Sequence, residues 1–210
     1  MSDICTEIAR ISVDVRRARV KQWGGQLGAA LLAAIVAVYA IVGLSGNVAE
    51  AADAAVPTPG LQNFVLKSVP APLPQVQFQD AAGKLHNLAE FNGKLVLVNF
   101  WATWCAPCRA EMPSLDRLQQ TMGGPDFEVV IISLDRAGYA KAAAFLDEIG
   151  VKNLTTYIDP GIKAARKLGA LGLPVTLLLN RKGDEIGRLT GPAEWDSAEA
   201  RALIAQHVGE

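Results

Sequence analysis

The sequence predicts an α/β domain, a central mixed β-sheet covered by helices on both faces, preceded by an N-terminal transmembrane helix. Three observations predict it. Residues 27–44 are an unbroken apolar run, a proline-rich stretch follows, and from Val76 to the C-terminus strand-like and helix-like patterns alternate. The formal net charge is −1 over 210 residues, so the chain as a whole offers nothing to a polyanion and no nucleic acid is expected as a partner.

The apolar run reads LGAALLAAIVAVYAIVGL, Leu27 to Leu44, and no charged residue lies between Lys21 and Glu50. At about 1.5 Å per residue such a helix is roughly 27 Å long, close to a hydrocarbon core of about 30 Å. Mean hydropathy of +0.22, high for a domain with 20% charged residues, reflects this segment. Arg10, Arg16, Arg17, Arg19 and Lys21 precede it and no comparable basic cluster follows, so residues 1–26 are expected in the cytoplasm and everything after residue 44 is expected to be exported across the membrane. A cleaved signal peptide is the competing reading, with AEA at Ala49 to Ala51 as its cleavage site. The long polar leader and the length of the run favour an uncleaved anchor.

Residues 45–75 read as a linker: Pro57, Pro59, Pro70, Pro72 and Pro74 are spread among alanines with little charge, a composition that makes semi-extended spacers. Within it, Leu61 to Ser68 has the makings of a short ordered piece. The domain proper is expected over 76–210. VQFQD, AAGK and LHNLAEF suggest an opening hairpin, and LVLVNF, Leu95 to Phe100, is apolar without alternation, as a strand covered on both faces must be. Ala106 to Met122 carries Leu115, Leu118 and Met122 at helical spacing and stops at Gly123-Gly124-Pro125. FEVVIISL is a second buried strand. A helix through YAKAAAFLDEIG and a short strand TTYI come next, and Asp159-Pro160 suits an N-cap and first helical position. PVTLLLN and EIGRLT, joined by RKGD, read as a hairpin, and a final helix is expected from about Glu194 to His207.

The chemistry is concentrated in FWATWCAPCRAEMP, Phe100 to Pro113. Cys105 falls where a strand gives way to a helix, and the unpaired N–H groups and dipole of a helix N-terminus favour an anion, hence a thiolate. Cys108 lies one turn further along, so a disulfide between the two opens and closes with little backbone motion. Pro107 sits in the first turn, where its missing N–H does no harm. A structural zinc usually needs four ligands, often as two paired groups; Cys5 lies before the expected membrane helix, and only His86 and His207, far apart in sequence, remain to help, so that reading is set aside. A permanent staple would stabilise little by closing so small a loop. A dithiol beside a strand–helix–strand pattern is a redox pair, and its chemistry requires neither cofactor nor metal.

FWATWCAPC, Pro113 five residues after Cys108, and GLPVT before a strand resemble the thioredoxin superfamily, over about Pro74 to the C-terminus. The resemblance implies a thioredoxin-like fold in which a cis-proline, matched by Pro174, faces the active disulfide. With the anchor, the proline linker, FEVVIISLD and GPAEW, the chain looks more narrowly like membrane-anchored thiol:disulfide interchange proteins of the TlpA type, whose extra helix and strand match Ala137 to Ile158. It implies Cys105 and Cys108 as the catalytic pair, with Trp104, Pro107, Glu111 and Pro174 supporting them. Where cytosolic thioredoxins bury an aspartate this chain has Asn99, while some anchored relatives carry a glutamate matched by Glu111, three residues after Cys108. Two readings of Glu111 stand side by side: a proton acceptor for Cys108, or a solvated helix residue. Trp104 is expected at the surface beside Cys105, Trp101 in the core, Arg109 in solvent and Asp135 as a loop cap.

The implied activity is protein-disulfide reduction with electrons from a membrane thiol transporter. The implied substrates are oxidised proteins awaiting a metal: a Sco-type copper chaperone, the copper-carrying oxidase subunit, or apocytochrome c. The cytochrome-c branch usually carries a GVYGxPE-like segment; here Leu168 to Val175 is LGALGLPV, which favours the copper-oxidase branch. A dithiol oxidase and a Cu(I) chaperone using the cysteine pair as ligands remain as rivals. The topology is directly testable. A membrane-impermeant thiol reagent applied to intact spheroplasts should label reduced Cys105 and miss Cys5; labelling of Cys5 in sealed cells would reverse the topology, and a mature chain beginning near Ala52 would make the segment a signal peptide.

Overall fold

The computed structural model describes residues 60–209; the expected anchor at Leu27–Leu44, Cys5 and the first part of the linker lie outside the described residues. Among the described residues no helix is long and apolar enough to cross a membrane.

Eight strands form one sheet: β1 (Val65–Ala71), β2 (Phe78–Gln79), β3 (Leu85–His86), β4 (Leu95–Trp101), β5 (Phe127–Ser133), β6 (Thr155–Ile158), β7 (Val175–Leu179) and β8 (Glu185–Thr190). Their order across the sheet is β1-β8-β7-β4-β5-β6-β2-β3. β4, β5 and β6 run parallel, joined by helical crossovers, while β7 turns back antiparallel beside β4 and β8 runs antiparallel to β7. The helices are α1 (Ala106–Met122), α2 (Tyr139–Glu148), α3 (Lys163–Lys167) and α4 (Ala198–Val208).

The unbroken apolar run of β4 has its cause in this arrangement. Every residue from Leu95 to Trp101 is buried, and the two-residue period of a strand divides them between two cores. Leu95, Leu97 and Trp101 pack with α1, α2 and α4; Val96, Val98 and Phe100 pack with α3 and the β2 region. α1 presents Cys108, Met112, Leu115 and Leu118 to the first core and ends at Gly123, whose N–H donates to Gln119 O at 2.8 Å. Asn99 shares the parity of Leu97 and Trp101, and therefore points its amide toward α1.

Several boundaries differ from expectation for identifiable reasons. The sheet begins inside the stretch read as linker: β1 is an edge strand antiparallel to β8, and an edge tolerates Pro70 because one side of the strand needs no ladder hydrogen bond. Gly187 of β8 makes room for it, since a methyl group there would lie 2.5 Å from the Phe64 ring and 3.2 Å from Val65 O. Asp159-Pro160 does not start α3. The chain first turns through Ile162 at φ 49°, and the Asp159 carboxylate reaches forward to accept from Lys163 N and Ala165 N, each at 3.0 Å. α4 begins at Ala198, capped by Ser197 accepting from Ala200 N, which frees Glu194 and Trp195 to serve a loop. His86 bridges Glu90 at 2.8 Å and Asp80 at 3.0 Å, and those carboxylates raise its pKa.

Replacing Gly187 with alanine should therefore push the Phe64 ring away and destabilise the domain by about 1–3 kcal/mol, the usual cost of overpacking. Chemical denaturation measures it. An unchanged midpoint would mean that β1 docks without this contact.

Candidate active site

β4 ends at Trp101 and α1 begins at Ala106, so the four residues between must turn the chain and deliver Cys105 to the helix N-terminus. Asp135, just past β5, holds that turn: its carboxylate accepts from Thr103 N at 2.9 Å, Thr103 Oγ1 at 2.6 Å and Ser133 Oγ at 2.8 Å. Cys105 N then donates to Ala102 O at 3.1 Å, and Cys105 becomes the N-cap of α1. Its Sγ accepts from the N–H of Cys108 at 3.3 Å, one of the amides that a helix start leaves unpaired. Cys105 and Cys108 are joined as a disulfide.

The two sulfurs are not equivalent. Cys108 is fully buried, whereas Cys105 keeps 6% of its surface and lines a groove beside the helix start. Trp104 and Pro107 lie exposed on either side in sequence, and Trp101 is in the core. Val175 pairs with Phe100, which brings the cis Leu173–Pro174 bond to the same end of the sheet as Cys105. Pro174 itself is buried, and Leu171 to Leu173 before it line the groove. Arg109 stands outside, its guanidinium 5.1 Å over the Phe145 ring. An incoming disulfide can thus reach Cys105 but not Cys108, the order required for attack by the outer sulfur and resolution by the inner one.

Glu111 is not a solvated helix residue. It is 3% exposed, on the α1 face that packs against β4, and its carboxylate accepts from Asn99 Nδ2 at 2.8 Å, Ala193 N at 3.2 Å and Trp195 Nε1 at 3.2 Å. Burial raises its pKa to about 7 despite those three hydrogen bonds. At three residues from Cys108 it shares a helix face with the resolving cysteine, and a carboxyl titrating near neutrality is suited to exchange a proton there. Asn99 also donates to Thr176 Oγ1 at 2.9 Å. Ser114 accepts from Trp195 N at 3.0 Å and donates to Glu111 O at 2.8 Å, fastening the loop to the helix. Thr176, Ala193 and Ser114 escaped sequence reading. GPAEW was the available signal, a tryptophan in a short loop that needs a buried acceptor for its N–H.

Two consequences of the Glu111 pocket can be measured. Its carboxyl is harder to ionise folded than unfolded, so its contribution favours the fold below about pH 4.5 and is lost as pH rises through about 7. The span corresponds to a loss on the order of 3 kcal/mol. Glu111→Gln should flatten this slope in a pH series of denaturation curves, and an unaltered slope would place the titration elsewhere. In stopped-flow kinetics the same variant should slow release from mixed disulfides severalfold while leaving their formation near the parental rate. Equal effects on both steps would remove Glu111 from proton transfer.

The chain is similar to known proteins over the region that holds this site. The Redoxin family model matches residues 68–204. The chain is 30% identical over 118 residues to the thiol-disulfide oxidoreductase ResA of Bacillus thuringiensis subsp. konkukian, covering 56% of this chain and 67% of that one. It is 36% identical over 105 residues to the thiol:disulfide interchange protein HelX of Rhodobacter capsulatus, covering 50% and 57%. A crystal structure from Chlorobium tepidum, described as a thiol:disulfide interchange protein DsbE, superposes with a TM-score of 0.60 at 26% identity over 69% of this chain and all of the other. The fold is thioredoxin-like, the vicinal pair Cys105 and Cys108 sits where thiol–disulfide exchange needs it, and the chain belongs to the Redoxin family as a thiol-disulfide oxidoreductase.

Proposed function

We propose that the chain is a TlpA-type thiol–disulfide reductase, anchored in the inner membrane by Leu27–Leu44, with its catalytic domain in the periplasm. The observation that carries the direction is how little stabilises a Cys105 thiolate. Ala106 and Pro107 place no charge and no side-chain donor between the cysteines, and among the described residues the recorded donor to Cys105 Sγ is one backbone N–H. Strong oxidants stabilise their reduced form heavily, whereas here the disulfide form is comparatively favoured, which makes the reduced protein an electron donor. Cys105 attacks a partner's disulfide to give a mixed disulfide; Cys108 then displaces the partner's sulfur, and Glu111 takes the Cys108 proton. Electrons return through a membrane thiol transporter.

The substrates are oxidised cysteine pairs in metalloprotein-assembly partners. The LGALGLPV segment supports a Sco-type chaperone or the copper subunit of cytochrome oxidase over apocytochrome c. Trapping with Cys108→Ser should arrest one of these as a mixed disulfide with Cys105; arrest of unrelated secreted proteins alone would end the metalloprotein assignment. Equilibration against glutathione or dithiothreitol buffers should give a potential on the order of −250 mV, near that of thioredoxin. A value above about −160 mV would make the protein an oxidase.

A further inference from the structure

The groove that exposes Cys105 extends well beyond it. Its first part encloses about 660 Å³ between Trp104 and Pro107 on one side and Ile162, Leu171 and Leu173 on the other, with Arg166 on its lining. Past Trp104, Leu134 and Ile162, which both parts share, it continues into a recess of about 600 Å³ bordered by Arg136 and Lys141. Trp104 and Leu171 are 66% and 84% exposed, far more than large apolar side chains elsewhere beside the site. An apolar surface of this size next to a reactive sulfur marks a place where something docks.

Charge says what docks there. Arg136, Lys141 and Arg166 are exposed, and among the described residues none of them has a carboxylate partner. The carboxylate on the lining belongs to Asp135, which is 1% exposed and already accepts hydrogen bonds from Thr103 and Ser133. Three cations against one buried carboxylate is a local excess on a chain whose net charge is −1. Arg109, next to Cys108 in sequence, is turned to the Phe145 ring instead.

We propose that this groove selects an acidic–apolar segment of the oxidised partner: an apolar side chain next to the partner's cysteine packs against Trp104 and Leu171, while a carboxylate a few residues away meets Arg136 and Lys141 or Arg166. For its chemistry the assignment rests on the reductase reading; for binding it does not. The Cys105 thiolate attacks the segment's sulfur, the partner's S–S bond breaks and its second sulfur leaves as a thiolate. Cys108 loses its proton to Glu111 and displaces the segment from Cys105. The partner departs reduced by two electrons and the enzyme is left as the Cys105–Cys108 disulfide. An anionic membrane surface is the other polyanion that three cations suit, but a concave groove holding the reactive sulfur fits a chain segment better.

The test uses the pre-reduced full chain in neutral detergent and three peptides, each with its single cysteine linked to thionitrobenzoate. One has leucine beside the cysteine and two aspartates nearby; the second replaces the aspartates with lysines; the third replaces the leucine with glycine. Thionitrobenzoate release should be at least about tenfold faster for the leucine–aspartate peptide than for the lysine one, with the gap narrowing as salt is added. Arg136→Glu with Lys141→Glu should remove that preference, and Leu171→Ser should slow the leucine peptides more than the glycine one. Equal rates for the three peptides, or a double variant that slows all of them alike, would overturn the assignment. Fluorescence anisotropy of the labelled peptides with serine in place of cysteine reads the groove without chemistry. If no peptide is reduced, the reductase reading falls, yet tighter binding of the leucine–aspartate peptide, lost in the double variant, still upholds the groove. A double variant that releases phosphatidylglycerol vesicles while its peptide rates and binding stay unchanged would make the cations a membrane contact and overturn the proposal.

Discussion

A carboxylate buried between a helix and a sheet is an expensive thing to fold, and Glu111 constrains everything around it. Its three hydrogen bonds come from two distant parts of the chain: Asn99 on β4, and one loop that supplies the backbone of Ala193 and the indole of Trp195. Asn99 ties in β7 through Thr176, and Ser114 ties the 193–195 loop back to α1. None of these partners is optional, because an unsatisfied charge at this depth would cost several kcal/mol. The register of α1 on β4 follows from that need. With Glu111 over Asn99, the start of α1 falls at the end of β4, and that is where Cys105 has to be.

The disulfide lies between two unlike environments. Behind it are the fully buried Cys108, the Glu111 network and the first core; in front is an apolar, cation-bordered groove reached only by Cys105. In the proposed mechanism the polar network acts on proton movement at the inner sulfur, and the groove acts on which disulfide meets the outer one. Because the two are on opposite sides of α1's first turn, the groove is free to vary in charge and shape without disturbing the proton chemistry. One fold can in this way keep its exchange chemistry while changing its partners.

The parts of the molecule that were legible in the sequence are those written in a strong local pattern. β4 announced itself by a run apolar on both faces, and α1 by helical spacing between a strand end and Gly123-Gly124; both were placed within a residue. β1 was hidden because an edge strand has a mostly exposed surface and can carry proline, so it reads like linker. The start of α3 was misplaced because Asp159 caps from a turn away instead of from the adjacent position, a geometry that depends on Ile162 adopting a left-handed conformation. Helical spacing put Glu111 on the face of Cys108 but left its burial undecided, since the residues that enclose it arrive 82 and 84 positions later. The charge of the groove was invisible for the same reason: Arg136 and Lys141 lie in one stretch and Arg166 in another about 25 residues later, and they border one groove only when the sheet is assembled.

Asn99 explains why that pocket works with a single acid. An aspartate at this position would put a second carboxylate at hydrogen-bonding distance from Glu111, 2.8 Å in the pair formed here. Two carboxylates so close in a buried site share a proton, and the titration then belongs to the pair and is spread over two widely separated steps. A neutral amide avoids this. It donates to the ionised carboxylate and to Thr176, and it leaves its own Oδ1 without a partner among the described residues. Its carboxamide holds both a donor and an acceptor, so it can be a partner to Glu111 in either protonation state without adding a second titrating group, which an aliphatic side chain could not. Asn99 and Glu111 therefore act as a pair: with a neutral amide on β4, the group that titrates on the Cys108 face of α1 is, among the described residues, Glu111.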